Sequence, residues 1–234
     1  MKTKMMVLLA VLLCLALMCC ACGAPEGDEP GEEVNGEEEP VEGENGEGGE
    51  SEEPAGMARI NIFETGILGQ DSLDVESKDN TVAAYSVSDY IENNFAGAPV
   101  DPVVLVASDG YAVSTQVEEF IKHFITMEGE SAPLMVGPEV SGELSVKFLL
   151  YIKTANESIC FVEDTLNVGE IFETLEMVEA ENYRFVASDG FSFDVAVADV
   201  GECTLYKSEE SVNATLPGLS GGDLRDVLYI EAVQ

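Results

Sequence analysis

Val106-Ala107-Ser108-Asp109-Gly110-Tyr111 recurs 80 residues later as Val186-Ala187-Ser188-Asp189-Gly190-Phe191. In each copy an apolar run leads into the Asp-Gly pair, and a segment of alternating polarity follows it. Glycine adopts left-handed backbone without steric cost and aspartate tolerates it, so each copy predicts a tight β-hairpin. Asp109 and Asp189 are therefore interpreted first as turn formers, with a ligand or metal role as the alternative.

The similarity between the two copies extends in both directions from the hairpins. Upstream, Ser86 and Asn167 each stand three residues before an acid, Asp89 or Glu170, which is a pattern typical of helix starts. Downstream, the apolar segments 147–152 and 225–230 match at an offset of 78 and predict closing strands. A further strand is expected at residues 59–63.

A helix is expected after the first hairpin. Val117, Phe120, Ile121 and Phe124 fall at helical spacing, with charged residues between them, and this pattern predicts an amphipathic helix. Its counterpart at residues 195–200 is shorter. The sequence thus predicts an α+β, sheet-dominated fold: two tandem, unequal copies of a β-rich unit with short helices, at residues 57–164 and 165–234, as two domains or one duplicated domain.

The first 22 residues have the three parts of an export signal. Lys2 and Lys4 are followed by an apolar run at 5–18 that is too short to span a bilayer comfortably, and the small Ala21 precedes Cys22. The segment resembles the signal peptides of bacterial lipoproteins, in which the cysteine after the cut receives diacylglycerol and then an acyl chain. The resemblance implies a signal peptide at 1–21, lipidation of Cys22 and an outward-facing membrane anchor.

The match to that signal is imperfect at one position. Lipoprotein signals prefer leucine three places before the modified cysteine, and this chain has Cys19 there. Cys20, with Leu17 three places before it, is the alternative site. An uncleaved single-pass anchor and an ordinary secretory signal are the other interpretations.

Acidic residues dominate the rest of the N-terminal region and much of the folded part. Residues 23–56 contain fourteen Asp or Glu and no Lys or Arg, so 22–56 is predicted to be a disordered acidic tether, spanning roughly 30 Å by flexible-coil scaling. A cation reservoir or a docking site for a basic partner is the functional alternative. Residues 57–234 carry a net charge of about -24, which excludes nucleic acid as a partner and favours cations or basic proteins.

The repeated pattern consists of a strand, the residues Ala-Ser-Asp-Gly-aromatic, an alternating strand, an acidic helical turn and a late strand. This pattern resembles a segment of the sulfite-oxidase-type molybdopterin-binding domain. The similarity covers about residues 104–152 and 184–230. In full it would imply a pterin-bound molybdenum with a cysteine thiolate ligand and oxygen-atom transfer. Cys160 and Cys203 are the only cysteines beyond the signal region, and neither lies in a recognisable ligand motif. Eight scattered Lys and Arg offer little to hold the cofactor phosphate.

No catalytic, cofactor-binding or metal-binding residue is assigned from the sequence. His123 is the single histidine and stands near no nucleophile motif, and the Gly-rich segment 220–223 lacks the Lys of a phosphate loop. Cys160 and Cys203 are expected either to pair in the exported environment or to remain two buried thiols. Tyr111 and Phe191 are expected in the core; if both were exposed on matching faces, they would be the first candidates for a binding surface.

Two functional hypotheses follow. The first is a surface-tethered lipoprotein that acts as a non-catalytic binding module for a solute, a cell-wall component or an envelope protein. The second is a diverged sulfite-oxidase-like redox or accessory protein.

Overall fold

The computed structural model describes residues 56–233, apart from 78–79 and 139. The predicted signal peptide, Cys22 and the tether up to residue 55 lie outside the described residues. Strands dominate: β1 Arg59–Ile62, β2 Leu73–Ser77, β3 Asn80–Ser86, β4 Val103–Ala107, β5 Ala112–Thr115, β6 Phe124–Thr126, β7 Leu134–Val136, β8 Leu149–Lys153, β9 Glu157–Cys160, β10 Leu166–Asn167, β11 Asn182–Ala187, β12 Ser192–Ala196, β13 Thr204–Ser208, β14 Ser211–Thr215 and β15 Val227–Val233. The helices are short: α1 Phe63–Gly66, α2 Val87–Asn94, α3 Val117–Phe120, α4 Val168–Leu175 and a 3-10 helix at Val197–Glu202. The α+β, sheet-dominated prediction is confirmed.

Both predicted hairpins are present, as β4–β5 and β11–β12. Gly110 and Gly190 take φ values of 88° and 86° at the turns, which only glycine adopts without strain. Asp109 Oδ1 accepts a hydrogen bond from the N–H two residues later at 2.9 Å, and Asp189 Oδ1 does the same at 2.9 Å. The aspartates therefore close their own turns, as expected.

The two predicted helix starts are also confirmed. The side chain of Ser86 accepts a hydrogen bond from the Asp89 N–H at the start of α2, and Asn167 accepts one from the Glu170 N–H at the start of α4. Each cap satisfies one of the N–H groups that a helix start leaves without an intrahelical partner.

The amphipathic helix predicted from Val117 to Phe124 is largely wrong. Helix α3 ends at Phe120 after one turn, and Phe124 begins strand β6. Strand β6 pairs with both β3 and β7, so long-range sheet pairing overrides the helical spacing of the apolar residues. The shorter element expected near 195–200 is the 3-10 helix.

The largest sheet has eight strands in the order β12-β11-β15-β1-β9-β8-β4-β5. This order is symmetric about the boundary between β1 and β9, because every strand on one side has its repeat counterpart on the other. The two central strands are parallel, whereas β1 pairs antiparallel with β15 and β9 pairs antiparallel with β8. The structural repeat thus begins again at β9, and each of the two central strands pairs with the last strand of a copy.

Neighbouring residues of the central strands point into two different cores. Ile60 and Ile62 pack with Cys160 and with helix α4, whereas Ile159 packs with Phe63 and helix α2. Because successive side chains of a strand face opposite sides, the two cores lie on opposite faces of the sheet. Sheet β10-β13-β14 contributes to the core that contains Ile60, and sheet β2-β3-β6-β7 contributes to the core that contains Phe63.

The structure shows the burial of two pairs of residues for which the sequence gives expectations. Tyr111 and Phe191 are 50% and 51% exposed, so their expected place in the core is wrong. Cys160 and Cys203 are free and buried, which matches the second of the two alternatives for the thiols. Among the described residues, no helix combines the length and apolar character needed to span a membrane.

Candidate functional site: a groove at one end of the sheet

The two hairpin turns lie at the same end of the large sheet. Strand β4 is antiparallel to β8, which is antiparallel to β9, so β4 runs parallel to β9. In the same way, β11 pairs with β15 and β15 with β1, so β11 runs parallel to β1. Because β1 and β9 are themselves parallel, β4 and β11 run in the same direction. Five strand spacings separate them, or about 24 Å at 4.8 Å per strand. Tyr111 and Phe191 are both exposed at this end, but Ala107 and Ala187, which precede the two turns, pack in different cores, so equivalent hairpin residues point to opposite faces of the sheet.

The backbone around the turns is the same in both copies. Phe148 and Asp226, which directly precede β8 and β15, have φ values of 52° and 54°. Their carbonyl oxygens accept hydrogen bonds from the Ser108 and Ser188 N–H groups at 2.8 and 2.9 Å. The side chains differ, however: the first copy has an exposed Phe148 where the second has the acidic Asp226.

This difference accompanies a groove in the second copy, formed by two adjoining cavities. The larger has a volume of about 610 Å³ and runs beside β13 and β14. The smaller, about 350 Å³, reaches the β11–β12 turn and is lined by Asp189 and Phe191. The two share the segment before β15, which contributes Gly222, Asp223, Arg225 and Asp226.

Asp223 is fixed in the groove by two hydroxyl groups. The Tyr206 hydroxyl donates to Oδ2 at 2.6 Å, and the Thr215 hydroxyl donates to Oδ1 at 2.9 Å. These bonds lower the pKa of Asp223, with the bond from Tyr206 the larger cause. The same bond raises the pKa of Tyr206. The groove thus carries a carboxylate that is held ionised and oriented.

Asp226 is fixed by strand β14. Its N–H donates to Asn213 Oδ1 at 3.0 Å, and its Oδ1 accepts a hydrogen bond from the Ser211 hydroxyl at 2.5 Å. Strand β14 is in turn tied to α1, because the Val212 N–H donates to Thr65 Oγ1 at 3.1 Å. The wall of the groove is therefore held by hydrogen bonds to two neighbouring elements.

The lining chemistry suits recognition of a polar ligand. Carboxylates accept hydrogen bonds from hydroxyl, amide or amino groups, Arg225 donates them, and the exposed ring of Phe191 offers an apolar face. The described residues that line the groove include no Cys or His.

The residues considered from the sequence for catalysis lie elsewhere. His123 is 2% exposed and its Nε2 lies 3.4 Å from Glu119 Oε1, and it lines neither cavity of the groove. Asp189 does line the groove in addition to closing its turn, whereas Asp109 does not. In the part of the chain that the structure describes, no three His, Cys, Asp or Glu side chains come together to hold a metal ion.

The two cysteines do not suit a molybdenum ligand. Burial raises the pKa of Cys160 well above its usual value and that of Cys203 to about 11, so neither is a thiolate at neutral pH. Both thiols pack in one hydrophobic core, and neither lines the groove. The residues present do not fit the cofactor that the sulfite-oxidase-type resemblance implies.

Sequence reasoning missed most of the groove. Tyr206, Arg225 and the strand β14 residues come together only through strand pairing, although the Gly-rich segment 220–223 was a usable signal for a loop at a binding site.

In comparisons with protein-family models, with curated proteins and with solved structures, the chain has no match.

Proposed function

We propose that this protein is a lipid-anchored, outward-facing bacterial binding protein that holds a polar envelope ligand in the groove of its second copy. The observation that supports the binding role is the groove of about 610 Å³, with an ordered carboxylate, a guanidinium and an adjoining exposed aromatic ring. The signal pattern ending at Cys22 supports the anchor, and the acidic segment after it supports a tether.

The ligand classes that fit are those rich in hydroxyl, amide or amino donors: a cell-wall fragment, a polar solute or a segment of an envelope protein. The net charge of about -24 on residues 57–234 disfavours polyanions. A redox or accessory role of the sulfite-oxidase type is the alternative class, and we derive no reaction step for it because the thiols do not fit the cofactor.

The binding role is tested by site-specific photo-crosslinking of the full-length protein in its native cells. A photoreactive side chain replaces Arg225 in the groove, and the matched control replaces Lys147, which occupies the equivalent position in the first copy. We expect a discrete crosslinked product at position 225 that is absent at 147. The same products at both positions, or none at 225, would contradict the proposal.

The anchor is tested separately by metabolic labelling with palmitate. Cys22→Ala is expected to abolish the label, whereas Cys20→Ala, the control variant, is expected to retain it. If only Cys20→Ala loses the label, the lipidated residue is Cys20 and cleavage occurs before it. An unlabelled wild-type protein would contradict the proposed anchor but would not test the binding role of the groove.

A further inference from the structure

A third cavity, of about 370 Å³, lies between the end of α1 and the β13–β14 hairpin. Its rim is exposed and includes Leu68, Lys207, Glu209 and Glu210. The buried residue of its lining is Glu64, which is 2% exposed and therefore marks the inner end of the cavity. The volume suits a small organic ligand.

The carboxyl group of Glu64 is only half satisfied. Oε1 accepts a hydrogen bond from the Val162 N–H at 2.8 Å, whereas Oε2 is buried and has no hydrogen-bond partner in the described part of the chain. Buried polar atoms without a partner are rare in folded proteins, because each loses its hydration without compensation. Glu64, which lines the cavity, thus holds a buried acceptor that lacks a donor.

The second copy has no carboxyl group at the corresponding place in its chain. Strands β1 and β9 are in register up to Ile62 and Cys160, and two residues further along Glu64 corresponds to Val162. Val162 is apolar and fully buried. Because the second copy fills the equivalent place with an apolar residue, the ionisable side chain of the first copy is a candidate for function rather than for packing.

The charges around the carboxyl group favour a positive ligand. Burial raises the pKa of Glu64 to about 7, the charge of Lys207 lowers it and that of Glu163 raises it. Glu209, Glu210 and Tyr85 also line the cavity, and Tyr90 and Cys160 lie near enough for the charge of Glu64 to raise their pKa values. The described lining contains one cationic residue, Lys207, and three acidic residues, Glu64, Glu209 and Glu210. A bound anion would therefore be repelled.

We propose that this cavity binds a small organic cation, carrying a primary ammonium or guanidinium group, with Glu64 Oε2 as its acceptor. Such a group supplies both the missing hydrogen-bond donor and the charge that stabilises the carboxylate. The cavity adjoins the groove but has its own ligand class, so this inference holds or fails independently of crosslinking at Arg225.

The test is calorimetric titration of the mature, detergent-solubilised protein with pentylamine at about pH 7 in about 0.15 M NaCl, a salt concentration that screens the general attraction of the acidic surface. Pentanol is the uncharged probe of the same chain length. Saturable binding of pentylamine and none of pentanol are expected. Glu64→Gln should weaken pentylamine binding at least tenfold, while Glu173→Gln, an exposed acid on α4, should leave it unchanged.

Lys207→Met provides a second variant that changes an exposed side chain and so spares the core. At about pH 9, well above the pKa of about 7 of Glu64, it removes the cation that competes for the carboxylate and should tighten pentylamine binding at least threefold. Absence of saturable pentylamine binding, equal binding by Glu64→Gln and wild type, or weaker binding by Lys207→Met would each overturn the proposal.

Discussion

Arg59 and Glu157 are register partners on the parallel strands β1 and β9, and Arg59 Nε lies 3.7 Å from Glu157 Oε2. Asn61 connects them further: its Oδ1 accepts from Arg59 Nε at 3.0 Å, and its Nδ2 donates to Glu157 Oε2 at 2.9 Å. The Arg59 guanidinium also lies 3.4 Å over the ring of Tyr229 on β15. A buried polar network therefore joins the two copies at the centre of the sheet.

Replacing Glu157 by alanine should be strongly destabilising. The carboxylate also accepts hydrogen bonds from the Ala96 and Gly97 N–H groups at 2.9 and 3.1 Å, so its loss leaves these donors without an acceptor and removes the more buried of the two carboxylates near Arg59. Breaking such a buried pair costs about 3 to 5 kcal/mol of the free energy of unfolding. Urea denaturation measures the change.

Glu231→Gln is the matched control for that experiment. Glu231 lies 3.9 Å from the same guanidinium, but its side chain is 32% exposed, and partly exposed ion pairs contribute about 1 kcal/mol or less. Equal losses in Glu157→Ala and Glu231→Gln would show that the central network does not stabilise the junction between the copies.

The turn glycines of the two copies should respond alike to alanine. Gly110→Ala and Gly190→Ala each place a Cβ at a positive φ, although no neighbouring atom lies within 4 Å to clash with it. The cost is therefore backbone strain alone, about 1 to 2 kcal/mol at each site. Gly142→Ala, also in open space but without the positive φ, should change stability by less than about 0.5 kcal/mol. A cost at Gly142 that matched the turn sites would refute the explanation by backbone conformation.

Local features of this fold could be predicted from the sequence, and long-range features could not. The Asp-Gly turns and the caps Ser86 and Asn167 depend on neighbouring residues, so their patterns were sufficient. Phe124 fell at helical spacing yet joined a sheet, because the pairing of β6 with β3 and β7 depends on residues far along the chain. The parallel pairing of β1 with β9 has no local signal.

The candidate site was less predictable than the fold for the same reason. Asp223 and Tyr206 are 17 residues apart and meet only once β13, β14 and the segment before β15 are in place. Glu64 gave no signal either, because one acid after an apolar strand is common in sequence and its burial arises from packing. The carboxyl group is unusual only in its environment.

The number of free thiols in the mature protein should locate the cleavage site of the proposed signal peptide. If Cys22 is the lipidated first residue, alkylation under denaturing, non-reducing conditions should modify two cysteines, Cys160 and Cys203; a cut before Cys20 leaves Cys22 as a third. Neither core thiol should react in the native protein near neutral pH, because both are buried with raised pKa values. Intact-mass spectrometry counts the adducts, and an absence of reactive thiols after denaturation would reveal a disulfide.

Stability should depend on pH through Glu64. Its pKa is about 7 in the folded protein against 4.5 as the usual value, so the folded state holds the proton more tightly than the unfolded state. The stabilisation is fully present below pH 4.5 and is lost as pH rises to about 7, a difference of about 3 kcal/mol.

Glu64→Gln should remove this dependence, because the amide stays uncharged and its oxygen still accepts the Val162 N–H. The variant should match the wild type near about pH 4 and exceed it by up to about 3 kcal/mol near about pH 8, measured by urea denaturation across that range. Glu173→Gln should leave the wild-type pH profile unchanged. If the stability of Glu64→Gln changes with pH in parallel with that of the wild type, the carboxyl group titrates normally. A Glu64→Gln variant that is more stable than the wild type at alkaline pH and does not bind pentylamine would separate the ligand role of Glu64 from any role in folding.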